Sequence, residues 1–304
     1  MFNPLSALVV SRILAGGLLP PQPRVIDMGN QTWGVSRAAL DRIAAMLAPQ
    51  ASRLGVDQGA LRSLGETRAP HVALFYKALG FALYEAIDIN SRDDTLVMDL
   101  NTDLRAHYGF ARTYDLVLNT GTSEHVFNQA AFLKNAHELA APGAVMAHIV
   151  PFTGYVNHGF FNYQPGLFLD LAAANGYCIL SLEVADREGV LLDLRQTNDV
   201  AEHFLHFVGL TTRNERGNTL LVAVMKKQSD GAFVIPCQGK YVATIEEQEV
   251  SSRYAGQAGE DKSRAILTAD PSRPAPRASR LRRKIKKALL KALRRTSHAV
   301  LTRL

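Results

Sequence analysis

The sequence predicts an α/β fold in which a mainly parallel, seven-stranded sheet is flanked by helices. Short apolar runs alternate with stretches of helical periodicity, and several of the runs end in glycine or polar residues, as buried parallel strands feeding loops do. A chain of 304 residues, 47% hydrophobic and 20% charged, also has enough apolar surface for a large core, which excludes wholesale disorder.

The elements follow in order. Pro4 to Leu19 is apolar with Arg12 in its middle, whereas a signal peptide places its positive charge ahead of the apolar run; residues 1–23 are therefore expected to form a packed N-terminal helix. Arg24 to Gly29 (RVIDMG) reads as the first strand. Val35 to Leu47 is alanine-rich and helical in period, and His71 to Leu79 forms another helix that Gly80 stops. Ala82–Ile89, Leu96–Leu100, Tyr114–Leu118 and Ala144–Val150 supply the next four strands, with helices at Asn128–Leu139 and Pro165–Asn175. Tyr177–Val184 and Thr219–Met225 complete the set. This body is expected over 24–250, with an inserted lid or substrate element at about 49–70.

Charge divides the chain. From Arg277 to Leu304 there are eleven Lys or Arg residues and no acid, leaving 23 bases against 28 acids over residues 1–276. Residues 251–278, rich in Ser, Gly, Pro and Ala, read as a flexible linker. Over 279–304, Leu281, Ile285, Leu289, Leu293, Val300 and Leu304 recur at helical spacing among cations, which predicts a basic amphipathic helix. Its apolar stripe favours an anionic membrane surface over nucleic acid, because phosphate contacts alone require no such stripe and no aromatic residue is interleaved for base stacking.

Two cysteines, Cys178 and Cys237, are too few for a disulfide scaffold and lack the close pairing that zinc requires. No metal-binding set is read from the sequence. The longest stretch free of Asp, Glu, Lys and Arg, Leu139 to Leu169, is interrupted by Pro142, Pro151 and Pro165 well short of the roughly 20 apolar residues of a membrane span. A cytoplasmic setting is expected, peripheral to the inner face of the membrane through the tail.

Parallel α/β sheets bind ligands outside the carboxyl ends of their strands. Asp88 and Asp99, at two successive ends, suit a nucleoside, since a carboxylate accepts from ribose hydroxyls or an adenine amino group. The turn GNQTWG (Gly29 to Gly34) admits close backbone approach. It carries neither the Lys and Ser/Thr of a phosphate-binding loop nor the three spaced glycines of a dinucleotide fingerprint. The expected cofactor is adenosine-like but unphosphorylated.

In these residues the chain resembles the class I S-adenosylmethionine-dependent methyltransferases. The resemblance rests on VIDMG (Val25–Gly29), YEAIDIN (Tyr84–Asn90), VMDLN (Val97–Asn101), YDLVLNTGTSEHV (Tyr114–Val126) and LAAPGAVM (Leu139–Met146), and covers roughly Val25 to Met225. It implies S-adenosyl-L-methionine as cofactor, with Asp27, Gly29 and the loop residue Gln31 beside its methionine part, Asp88 on the ribose, Asp99 and Leu100 on the adenine, and Asn119 toward the sulfonium. Trp33 would cover it. Asn30 to Trp33 replace the family's glycine-rich loop, and Asp27 to Asp88 spans 61 positions, hence the insertion.

Methyl transfer to a hydroxyl needs alignment and benefits from a base. Glu124 and His125, past strand four, and His158, in VNHGFFNY (Val156–Tyr163), are the catalytic candidates. Phe160, Phe161 and Tyr163 would wall a flat or sugar-like acceptor. GTSEHVFN and NHGFFN are similar to methyltransferases of surface-polysaccharide assembly, so a small-molecule or glycan hydroxyl is the expected acceptor. The alternative is a non-catalytic methyltransferase-like binding module that the basic tail recruits to an anionic membrane or nucleic acid.

Overall fold

The computed structural model describes residues 1–92, 95–187, 189–194, 218–242 and 244–254. All of them lie in the first of the chain's two units, Met1–Ala269. The basic helix expected at 279–304 and all but the start of the linker fall outside the described residues. No helix among them is long and apolar enough to cross a membrane.

The chain opens with α1 (Pro4–Ala15). Asn3 caps it by accepting the Ser6 N–H at 3.0 Å, and Pro4 in the first turn gives up an amide that would lack a partner anyway. β1 (Arg24–Met28) follows, then α2 (Arg37–Leu47), α3 (Ala51–Leu54), α4 (Gln58–Ser63) and α5 (Val72–Ala78). Next come β2 (Leu83–Asp88), β3 (Leu96–Val97), α6 (Leu104–Tyr108), β4 (Tyr114–Thr120), α7 (Gln129–Leu139) and β5 (Ala140–Thr153). α8 (Pro165–Asn175), β6 (Cys178–Ala185), β7 (Val190–Asp193) and β8 (Thr219–Lys226) complete the layers, with α9 (Gly239–Val242) and α10 (Gln248–Arg253) after them.

One sheet contains all the strands in the order β3-β2-β1-β4-β5-β8-β6-β7. β1 to β5 pair in parallel, while β8 runs antiparallel to both β5 and β6. The expected seven strands are present, and the edge strand β7, antiparallel to β6, is an eighth that the sequence reading did not anticipate.

Two apolar layers cover the faces. Phe2, Leu5, Val10, Leu40, Leu47, Phe75 and Tyr76 pack on one, and Phe132, Leu139, Phe168, Leu171 and Leu104 on the other. Alternation along β1 sends Val25 to the first layer and Ile26 and Met28 to the second, so Asp27 faces the first. The segment 49–70 is anchored on the core at a few positions. Its helices α3 and α4 belong to the first layer, where Leu61 and Leu64 are buried in the same cluster as Leu40 and Phe75. A Cβ at Gly80 would stand 2.7 Å from the Gly55 carbonyl oxygen, so a glycine, already needed for the positive φ of +82°, also admits that packing.

Candidate active site

The strand order reverses between β1 and β4, where open α/β sheets place their ligands. The loop after β1 and the turn after β4 meet there. Gly29 has φ +130°, and a Cβ on it would lie 2.0 Å from Thr122 Oγ1, so only glycine permits this approach. Around the junction, Gln31 Oε1, Thr120 Oγ1 and Glu124 Oε2 are buried with no hydrogen-bond partner among the described residues. An orphaned buried polar group costs about 1–3 kcal/mol, and a ligand with matching groups would satisfy these three.

The acidic strand ends lie where the sequence placed them. Asp88 closes β2, and its carboxylate accepts from the Asn30 N–H (2.9 Å) and from the Asn90 side-chain amide (2.7 Å). With a longer bond from the Asn90 N–H (3.3 Å) these make three, which leaves part of a carboxylate's acceptor capacity for a ligand. Asp99, just beyond β3, accepts from the backbone and side-chain amides of Asn101 at 2.8 and 2.9 Å. Leu100 beside it is buried in the second apolar layer.

Three assignments fit the geometry less well. Asp27 is fully buried on the face beneath α5, near Tyr76 and Tyr84, rather than at the strand end. Burial pushes its carboxyl up to about 7, with the Tyr84 hydroxyl pulling the other way. Asn119 spends its side chain inside the protein. Its Nδ2 donates to Ser123 Oγ (2.8 Å) and lies 3.2 Å from His148 Nδ1, while its Oδ1 accepts the Thr122 and Ser123 N–H groups. It shapes the turn that carries Glu124. Trp33 packs with Phe2 and Phe75 at 6.1 and 6.2 Å between ring centres, so its role is in the first layer.

The three catalytic candidates come together. Glu124 sits in a 3₁₀ turn, Ser123–His125, with its side chain almost wholly buried, and burial pushes its carboxyl up to about 7. Its Oε1 lies 3.7 Å from His158 Nε2 and 4.0 Å from His125 Nε2. The two imidazoles are half exposed, their centres 5.0 Å apart, and burial and the His158 ring hold His125 below its ordinary pKa. The loop after β5 delivers His158 through Tyr155 (φ +52°) and Asn157 (φ +58°). A bulky non-glycine residue such as Tyr155 adopts that conformation only under constraint. The loop is anchored where the Phe160 N–H donates to the Glu124 carbonyl oxygen at 2.7 Å. Beside the cluster, Phe127 and Phe160 are 73% and 67% exposed and pack with Phe161, an apolar shelf next to three polar groups. Tyr163 is not part of it, being buried with its hydroxyl donating to Gln129.

Thr122, Gly159 and Phe127 went unread in the sequence. A phenylalanine close to Glu124 and His125 was the available signal for the last; the other two matter through packing between residues far apart in sequence, the Thr122 side chain on Gly29 and Gly159 on Glu124.

Parallel β1 to β5 in the order 3-2-1-4-5, an antiparallel strand inserted next to β5, and acids at the ends of β2 and β3 together decide the fold. The strand order agrees with the fold that the resemblance to the class I S-adenosylmethionine-dependent methyltransferases implies. No protein-family model matches the chain, and no curated protein matches it. Among solved structures, the chain is similar to the Burkholderia thailandensis 1,6-didemethyltoxoflavin-N1-methyltransferase with bound 1,6-didemethyltoxoflavin and S-adenosylhomocysteine, at 14% identity and TM-score 0.35 over 73% of this chain and 78% of that one. It is also similar to an O-methyltransferase from a trans-AT PKS multienzyme of Brevibacillus brevis in complex with S-adenosyl-L-homocysteine (14% identity, 88% and 86% covered, TM-score 0.35). A third is coclaurine N-methyltransferase bound to N-methylheliamine and S-adenosylhomocysteine (11% identity, 73% and 72% covered, TM-score 0.36).

Proposed function

We propose that the protein is an S-adenosylmethionine-dependent methyltransferase whose acceptor is the hydroxyl of a small molecule or glycan. The observation that carries this reading is the meeting of Glu124, His125 and His158, from two separate loops, beside orphaned polar atoms at the strand-order reversal. The residues fit the cofactor. Asp88 would take the ribose and Asp99 with Leu100 would flank the adenine, while Gln31 Oε1 and Glu124 Oε2 offer buried acceptors to a cationic ligand with N–H donors. When bound, the cofactor supplies an electrophilic methyl group on a sulfonium. The chain's own part is to lay the acceptor on the Phe127–Phe160 shelf, hold its hydroxyl at the cluster and remove the proton there.

Calorimetric titration with S-adenosylmethionine tests the reading. Saturable heat that disappears in Asp88→Ala, with the variant's circular dichroism unchanged, supports it. A folded wild-type chain that gives no heat overturns it in favour of the non-catalytic module, the reading favoured by the packing of Thr122 against Gly29. The tail is proposed to hold the protein at an anionic membrane. Deleting residues 278–304 is then expected to abolish sedimentation with anionic vesicles, and unchanged sedimentation would reject that role.

A further inference from the structure

We propose that Glu124, His125 and His158 form a binding site for one divalent transition-metal ion of the Zn²⁺ class. One ligand atom from each residue lies within 4.8 Å of the other two. The Glu124 Oε1 separations of 3.7 and 4.0 Å are too long for hydrogen bonds. They are close to the spacing of neighbouring ligands around a tetrahedral ion, about 3.4 Å for metal–ligand distances near 2.1 Å. A small inward movement of two half-exposed imidazoles closes the difference.

Three further observations converge on an ion. The carboxylate is almost wholly buried, its Oε2 has no hydrogen-bond partner among the described residues, and a cation held at Oε1 would add to the charge compensation that the Met1 ammonium gives. Both imidazoles turn Nε2 toward it. A constrained turn with two non-glycine residues at positive φ holds His158 in place, and an unstrained loop would serve for packing alone. Two imidazoles and one carboxylate are a donor set that such ions accept, and three protein ligands leave a coordination position open. An acceptor's oxygen taken up there would have the pKa of its hydroxyl lowered by the ion. Only this last consequence rests on the methyltransferase reading; the binding of metal does not.

The test uses the full chain, stripped with a chelator and dialysed. Calorimetry with Zn²⁺ and the visible spectrum with Co²⁺ report stoichiometry and geometry. One equivalent is expected, with an intense low-symmetry Co²⁺ spectrum. Glu124→Gln and His158→Ala should each weaken Zn²⁺ binding by more than the roughly 10–100-fold that loss of an outer-shell partner costs. His107→Ala, on α6, should leave it unchanged. The proposal is overturned if the wild-type chain takes up no metal, or if its uptake survives in the Glu124→Gln/His158→Ala double variant. Metal binding without S-adenosylmethionine binding would leave this site standing and remove the methyltransferase reading; the reverse result would do the opposite.

Discussion

Asp27 shows how one residue's position along a strand changes its chemistry. It sits one residue short of the β1 end and on the face covered by α5, so the carboxyl enters an apolar layer instead of the crevice, and burial pushes it up to about 7. The unfolded chain titrates it near 3.9. Between those values the folded state holds the extra proton. The stability it contributes is therefore complete below about pH 4 and is lost as pH rises through 7, by about 4 kcal/mol for three pKa units. Asp27→Asn keeps the shape and removes the titration. The variant should match the parent near pH 4 and exceed it in melting temperature at pH 8; equal destabilisation at both pH values would contradict the assignment. Glu124 shares the elevated pKa but sits at the crevice with two histidines, and that surrounding gives it a functional reading where Asp27 has a structural one.

At the level of elements, the long helices were legible, while the short ones α3, α4, α6, α9 and α10 were not. Pro165–Asn175 was read with its observed limits, and Asn128–Leu139 misplaced only the capping residue. The first opens on Pro165 and stops at Gly176 in the left-handed conformation, and the second opens on the Asn128 side-chain cap. β3 came out shorter than its apolar run and β5 longer, because strand length is set by the neighbour that pairs and not by hydrophobicity. The loop after β5 is expected from its sequence to meet the acceptor, yet nothing local indicates that it folds back on Glu124. Gly159 allows it to do so, since a Cβ there would stand 2.8 Å from the Glu124 carbonyl oxygen and 3.0 Å from its Cγ. Gly159→Ala is expected to lift the loop and cost about 1–3 kcal/mol in stability. A displacement of about 1 Å at His158 would cut methyl transfer about 100-fold while leaving S-adenosylmethionine affinity in place. Unaltered turnover in this variant would show that the loop's docking has no part in catalysis.

Across the whole molecule, α1 is tied to the far half of the sheet by Arg12, whose two terminal nitrogens donate to the Glu183 carboxylate at 2.8 and 2.9 Å. Glu183 is almost fully enclosed and Arg12 is 41% exposed. Arg12→Ala should cost about 3 kcal/mol, mostly by stranding the glutamate, and adding Glu183→Leu should recover much of it. A chemical denaturation series reads both values, and additive losses in the double variant would refute the coupling. The one-dimensional pattern was sufficient for the layered α/β class, the order of most elements, the acids ending β2 and β3, and the separation of a basic tail from an acidic body, because periodicity and charge are properties of neighbours along the chain. Which side of β1 Asp27 faces, the anchoring of Leu61 and Leu64 in the core, the internal bonding of Asn119 and the convergence of Glu124, His125 and His158 were decided only by folding. Each depends on the distance between residues far apart in sequence, which sheet register and loop closure determine.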